Sequence, residues 1–574
     1  MEKIIGFLNG FHSNDPGGDF EGMHMGAMIA SAELLDNIIT HGGYDCHHFL
    51  YEKGPVTSPE GFVKYVAAKG WNPRRLLLFR GALPLDRIAA EKYHVLFRPD
   101  FLIDLAISLR NTLERPIAPA VGIIHTVSYA PLIPVWTRLL VGNLLPCDAL
   151  VCTSRAAQQA VQNTFDILSE RFSKRLGGRT PAFRGQLPII PLGVDVDSWK
   201  PESDKRAVRR QLGLPDEART VLCPARFSCW DKMDLRPFLM GVARLLPVLG
   251  PDFFRVVLVG DNVGDEANLI REFAADLGLC DVVRIDTDGT PSRLRLYYRA
   301  ADIFVSLVDN LQETFGLTVT QAMACGLPTI VSDWNGYKDT VVHGETGYRV
   351  RTYWAECDRQ VSRLGIHRPW YLDQLLLAQS VAVDVADLMD ALLLLIGNPD
   401  LCQRMGQAGR RRAEEMYAWP VVIKKYAALW EECQERFTYR DAQEWVPEED
   451  GDLFTPAYFR QFSHYPSAVI SSDAQLALRP ARVGRMTGWV SHEDARLPAP
   501  MEKVFHPAIF DSLRTRLQEW PITLGELVDS VRDETGHTDD QITRHVMWLI
   551  KYGVVEPVGV TANAQSVCME GGAK

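Results

Sequence analysis

The sequence predicts an α/β fold with two doubly wound parallel sheets facing a cleft, followed by a separate, mainly helical carboxy-terminal module. Three observations carry this. The chain has 574 residues, several times the ~100–200 residues of a single domain. Through the first 436 residues, short continuous apolar runs alternate with stretches of helical periodicity, the pattern of parallel strands covered on both faces. The runs are also too many for one comfortable open sheet, so two domains fit better than one.

In chain order, the strand-like runs are Lys3–Leu8, Val121–Thr126 and Asp148–Thr153, then Thr220–Ala225, Arg255–Gly260, Asp281–Asp286, Asp302–Val308 and Pro328–Asp333. Helical periodicity fills intervals such as Glu266–Leu277 and Ser292–Ala301, and Gly278 and Gly326 stand where left-handed helix caps are expected. The polar break after LPIIPLGVDVDSWKP places the first domain at 1–192 and the second at 193–420, with a helix over 421–436 returning toward the first. Residues 353–380 fit neither pattern and read as an insertion. The extension, 437–574, begins with aromatic, turn-rich sequence. It then becomes helix, Gly/His turn, helix and short strand, which is winged-helix-like.

Composition narrows the function classes. Lys plus Arg number 61 against 72 Asp plus Glu, a formal charge of -11, and the extension alone carries 13 cations against 20 carboxylates. Neither balance suits a phosphate-neutralising DNA binder; the extension reads as a protein-contact or capping module. The 11 cysteines form no C-x-x-C pair, so no zinc ribbon or dithiol site is signalled and reduced thiols in the cytoplasm are expected. No long apolar run reads as a leader or a membrane span. A basic stretch, Arg171 to Arg184, leaves room for peripheral contact with the inner face of a membrane.

In an open parallel sheet, ligands bind beyond the carboxyl ends of the strands. The richest such loop is DNLQETFGLTVTQ after Val308. Its helix start offers the amides of Phe315, Gly316, Leu317 and Thr318 to an anion. Glu313 stands just ahead, suited to accept hydrogen bonds from sugar hydroxyls, and Gln321 follows about one turn in. The loop RFSCWDK places Arg226 and Lys232 at another strand end, where they can grip phosphate. Gly17 and Gly18 in the first strand–helix loop permit close backbone approach, and His125 ends the run IIHT. Cations and amides from separate loops suggest a diphosphate held between domains.

These pieces resemble retaining glycosyltransferase family 4, whose fold, GT-B, is two facing Rossmann-like domains. The resemblance rests on ETFGLTVTQAMACGLPTIVSDWNGYKDTVVHGETGYRV from Glu313 to Val350, and on IIPLGVDVDSWKP, DALVCTSRAAQQAV and VVLVGDNVGDEANLIREFAADLGL. It implies transfer of a sugar from a nucleoside-diphosphate sugar with retention of configuration. Arg226 and Lys232 would hold the diphosphate, Glu313 the sugar hydroxyls, and Gly17 and Gly18 would lie by the phosphates. His125 would stand near the anomeric carbon. The family's second Glu is Gln321 here, and the Arg226–Lys232 spacing is one residue longer than is common. The loops of Arg226, Lys232 and the Phe315–Thr318 helix start hold no Asp-x-Asp metal motif, so neither a metal nor a resident cofactor is expected. The acceptor is open: glycan, lipid-linked, small molecule or protein, the last recruited through 437–574. A phosphorylase or epimerase on the same fold, or a weakly active sugar-nucleotide sensor, are the alternatives.

Overall fold

The computed structural model describes residues 2–8, 26–51, 59–80, 85–113, 117–177, 180–437, 458–478, 504–518 and 522–558. The chain divides into two compact units, Met1–Leu453 and Phe454–Lys574. The first unit holds two six-stranded sheets. One contains β1 (Ile4–Leu8), β2 (Cys46–Tyr51), β3 (Leu76–Arg80), β4 (Tyr93–Arg98), β5 (Ala120–Ile123) and β6 (Ala149–Val151), in the order β3-β2-β1-β4-β5-β6. The other contains β7 (Arg219–Pro224), β8 (Phe254–Val259), β9 (Val283–Asp286), β10 (Ile303–Ser306), β11 (Thr329–Ser332) and β12 (Gly347–Val350), in the order β12-β11-β10-β7-β8-β9. Every pairing in both sheets is parallel. Each sheet therefore reverses its winding beside its first strand, the position where open α/β sheets bind ligands.

Each expected run builds a strand; all but β9, a half-buried edge strand of sequence VRID, are largely buried on both faces. Leu222, Val257, Leu258, Phe304 and Ile330 are fully buried. Gly278 and Gly326 adopt φ of 70° and close their helices as expected. Four strands lie outside the expected set: β2, β3, β4 and β12. β2 and β4 hide behind their histidines. His47 and His48 sit in the sheet interior, where burial pushes the pKa of both rings down to about 4. They are neutral there, and His47 stacks on Phe7 at 5.9 Å while His48 Nδ1 meets Tyr93 Oη at 3.0 Å.

After the second sheet come helices Val385–Gly397, Pro399–Arg412 and Trp419–Arg436. The last crosses back to the first sheet, where the Trp430 ring stands 5.6 Å from Tyr44 and 5.2 Å from Phe97. The insertion is a closed excursion. Its ends form an antiparallel pair, β13 (Thr352–Trp354) with β14 (Val381–Val383), and helices Arg359–Leu364 and Trp370–Ala378 lie between.

The second unit has its own core, built on Leu476, Ile509, Leu513, Leu527, Val531, Ile542, Val546 and Leu549. Helices Pro507–Arg516, Leu524–Thr535 and Asp539–Lys551 pack on a small antiparallel sheet of β15 (Gln475–Leu478), β16 (Ile522–Thr523) and β17 (Val555–Val558), ordered β16-β15-β17. Reciprocal capping boxes at Thr523/Glu526 and Thr538/Gln541 start two of these helices. Among the described residues no helix is long and apolar enough to cross a membrane.

Candidate functional site

The carboxyl edges of the two sheets of the first unit meet. Thr314, in the loop after β10, donates from Oγ1 to the His125 carbonyl after β5 at 3.2 Å. Its own carbonyl accepts from Ser154 Oγ, just past β6, at 2.7 Å. Tyr129 donates to Gln312 Oε1. Loops after β5 and β6 thus touch the loop after β10, where the sequence concentrates its polar residues.

That loop is built by Asn310, 1% exposed. Its Oδ1 accepts the amides of Gln312 at 2.9 Å and Glu313 at 3.0 Å, and its Nδ2 donates to the Lys232 carbonyl. One side chain therefore shapes the turn and ties it to the loop after β7. Trp334 Nε1 caps the arrangement, donating to the Asn310 carbonyl at 2.7 Å. The chain enters helix Leu317–Ala324 through Gly316 at φ 99°. A Cβ there would lie 2.2 Å from Tyr337 Cε1, so both the left-handed backbone and the close approach require glycine. Tyr337 is buried and shares a hydrogen bond with Ser306 Oγ at 2.8 Å.

Of the expected residues, Lys232, Glu313, Phe315 and Gly316 meet at this turn. Lys232 Nζ donates to Glu313 Oε2 at 2.7 Å, and Glu313 Oε1 receives the Phe315 amide at 3.4 Å. Burial alone would raise the Glu313 carboxyl. The Lys232 charge and hydrogen bond, with the Phe315 and Gly316 amides, outweigh it and hold the group below the usual carboxylate range. Arg226 Nη2 pairs with Asp231 Oδ2 at 2.7 Å. Arg226 Nε and Asp231 Oδ1 are buried without a hydrogen-bond partner among the described residues, which leaves each with unmet hydrogen-bonding capacity. Leu317 and Thr318 form the first turn of the helix, and Gln321 lies one turn in, half-buried.

His125 adjoins the site through its backbone. Its Nε2 lies 2.9 Å from the Pro99 carbonyl and 3.0 Å from Ser31 Oγ. A carbonyl only accepts, so Nε2 carries the hydrogen and Nδ1 is the ring's acceptor. Burial lowers its pKa, which keeps the ring neutral. Gly17 and Gly18 lie outside the described residues. Three residues of the site are not singled out by sequence: Asp231, Asn310 and Tyr129. Asp231 and Asn310 stand inside RFSCWDK and DNLQETFG, and strand-end Asn and Asp are a usable signal for both. Tyr129 has none, since it arrives from the other domain.

Residues 204–364 match the family model described as "Glycosyl transferases group 1". This stretch is similar to group 1 glycosyl transferases. It spans β7 to β12 and includes Arg226, Lys232, Glu313 and Gln321. The D-inositol 3-phosphate glycosyltransferase of Nocardiopsis dassonvillei is 32% identical over 219 residues, covering 36% of this chain and 48% of the relative. That of Thermobispora bispora is 26% identical over 257 residues, covering 44% and 51%. The chain thus spans about half the length of the curated relatives it matches. Anabaena HepE, solved in complex with UDP, superposes with a TM-score of 0.50 at 16% identity, covering 74% of this chain and 98% of that one. The fold is GT-B: two Rossmann-like domains, each a six-stranded parallel sheet.

Proposed function

We propose that the chain moves a sugar from a nucleoside-diphosphate sugar to an acceptor, with retention of configuration and without a metal. One observation carries the reading: Arg226, Lys232, Glu313 and the Gly316 helix start converge at the carboxyl edge of the group 1 segment. The diphosphate would compete with Asp231 for Arg226 and with Glu313 for Lys232. Glu313, released from Lys232, accepts the sugar's hydroxyls. As the sugar–phosphate bond breaks, charge grows on the phosphate, and the two cations with the Phe315–Thr318 amides stabilise it more in the transition state than before. The departing phosphate takes the acceptor's proton. His125, neutral, offers Nδ1 as an acceptor beside the anomeric carbon. Gly17 and Gly18 belong to the phosphate side in this scheme, and Gln321 bonds the ribose through its amide.

UDP is the first nucleotide to test, because HepE holds it, and an inositol phosphate the first acceptor, given the relatives' name. In a calorimetric titration the wild-type chain should bind UDP, and Arg226→Ala should weaken binding or slow donor hydrolysis by at least roughly ten-fold. Unchanged behaviour removes Arg226 from the site. Hydrolysis should survive EDTA; loss restored by Mg²⁺ or Mn²⁺ contradicts the metal-free scheme. Gln321, without the charge of a carboxylate, favours a second reading as a sugar-nucleotide sensor. Tight donor binding, no turnover with any acceptor and no effect of Glu313→Ala on slow hydrolysis would select it. Release of sugar phosphate or an isomerised donor would instead mark a phosphorylase or epimerase.

A further inference from the structure

The excursion between β13 and β14 reaches two places at once. Toward the second domain, Gln379 Nε2 donates to Asp234 Oδ2 at 3.1 Å, and the Tyr371 ring stands 6.1 Å from Trp230. Both contacts grip the loop that carries Arg226 and Lys232. Toward the first domain, Gln374, 3% exposed, pairs with Ser128 in both directions. Ser128 Oγ donates to Gln374 Oε1 at 3.1 Å, and Gln374 Nε2 donates to the Ser128 carbonyl at 3.3 Å. A buried amide satisfied in both directions fixes the segment it holds, because breaking the pair leaves two buried groups unmet. The next residue is Tyr129. Its hydroxyl donates to Gln312, the neighbour of Glu313, and the charges of Asp231 and Arg226 act on it.

We propose that Tyr129 is a diphosphate-binding residue of this site, supplied by the first domain and positioned by the excursion through the Ser128–Gln374 pair. The proposal rests on the nucleotide-sugar reading. Its chemistry is simple. Arg226 and Lys232 are each opposed by a carboxylate, so a neutral donor adds attraction for phosphate without needing a further counter-charge. A phenol hydroxyl can leave the Gln312 amide oxygen for a phosphate oxygen, which accepts more strongly because it is charged. The Gln312 bond keeps the hydroxyl aimed at the site until then. The excursion, gripping the Arg226 loop on one side and Ser128 on the other, brings the three donors into one frame.

The test uses the full chain, with UDP, GDP and ADP as probes in calorimetry and amide hydrogen exchange on the ligand-free protein. Tyr129→Phe should weaken the preferred nucleotide by at least about tenfold, the loss expected for a hydrogen bond to a charged group, with exchange at 125–132 unchanged. Gln374→Ala should weaken binding less and speed exchange at 125–132. Gln374→Glu, which keeps an acceptor for the Ser128 hydroxyl, should recover part of both. Wild-type affinity in Tyr129→Phe overturns the binding role. Unchanged exchange in Gln374→Ala overturns the positioning role. If the wild-type chain binds none of the three nucleotides, the nucleotide-sugar reading fails and takes the binding role with it, while the exchange experiment still decides the positioning role.

Discussion

Asp309 shows how one side chain can load a site against its own fold. It ends the segment after β10 with 4% of its surface exposed, one oxygen on the Asp234 amide at 3.2 Å and the other unpartnered among the described residues. Burial, with the Asp234 charge nearby, pushes its carboxyl up from 3.8 to about 8. Between those values the folded chain keeps a proton that the unfolded chain releases. Stability therefore falls as pH rises from about 4 to about 8 and levels off above, by up to ~1.4 kcal/mol for each pH step crossed in that window. Asp309→Asn removes the titration and still accepts from Asp234. Its melting temperature should match wild type near pH 4 and exceed it most at pH 8. An advantage that is flat across pH would mean that Asp309 is not held neutral. Placement was legible where the pattern is local: Arg226, Lys232 and Glu313 sit in loops that follow strands, and Lys232 pairs with Glu313. It was illegible where a partner comes from afar. Nothing near Tyr129 says that it meets Gln312, 183 positions away.

Among elements, the helix Leu317–Ala324 depends most on a single residue. Gly316 must hold φ 99° and must leave room for Tyr337, whose ring carbon would sit 2.2 Å from a Cβ. Gly316→Ala should cost about 2–4 kcal/mol, the sum of a left-handed backbone penalty and overpacking, read as a drop in chemical-denaturation midpoint. A loss below about 1 kcal/mol would show that Tyr337 gives way freely. Elements were legible when apolarity ran unbroken, as in TVLCPA and RVVLVG. In CHHFLY and YHVLFR histidines interrupt the apolar run, yet the folded sheet holds His47 and His48 neutral and stacks His47 on Phe7. The excursion was opaque for another reason: a three-residue strand such as Thr352–Trp354 is specified only by its partner, Val381–Val383, and that partner lies 27 positions or more away.

At the scale of the whole molecule, the second compact unit owns a core of its own, and none of the candidate site residues lies within it. A chain ending at 453, the last residue of the first unit, should retain nucleotide binding within about twofold of the full chain. Aggregation of the truncated chain, or loss of binding with its fold intact, would make the extension part of the catalytic unit. The first unit has no such independence between its halves. Its first sheet is finished by a helix from the far end, with Trp430 lodged against Tyr44 and Phe97. On a ribosome adding ~5–20 residues per second, the amino-terminal half is complete in sequence long before Trp430 emerges. For roughly 15–60 s its Tyr44 and Phe97 face open water, a greasy notch that a chaperone can occupy and that a stalled or shortened nascent chain never closes.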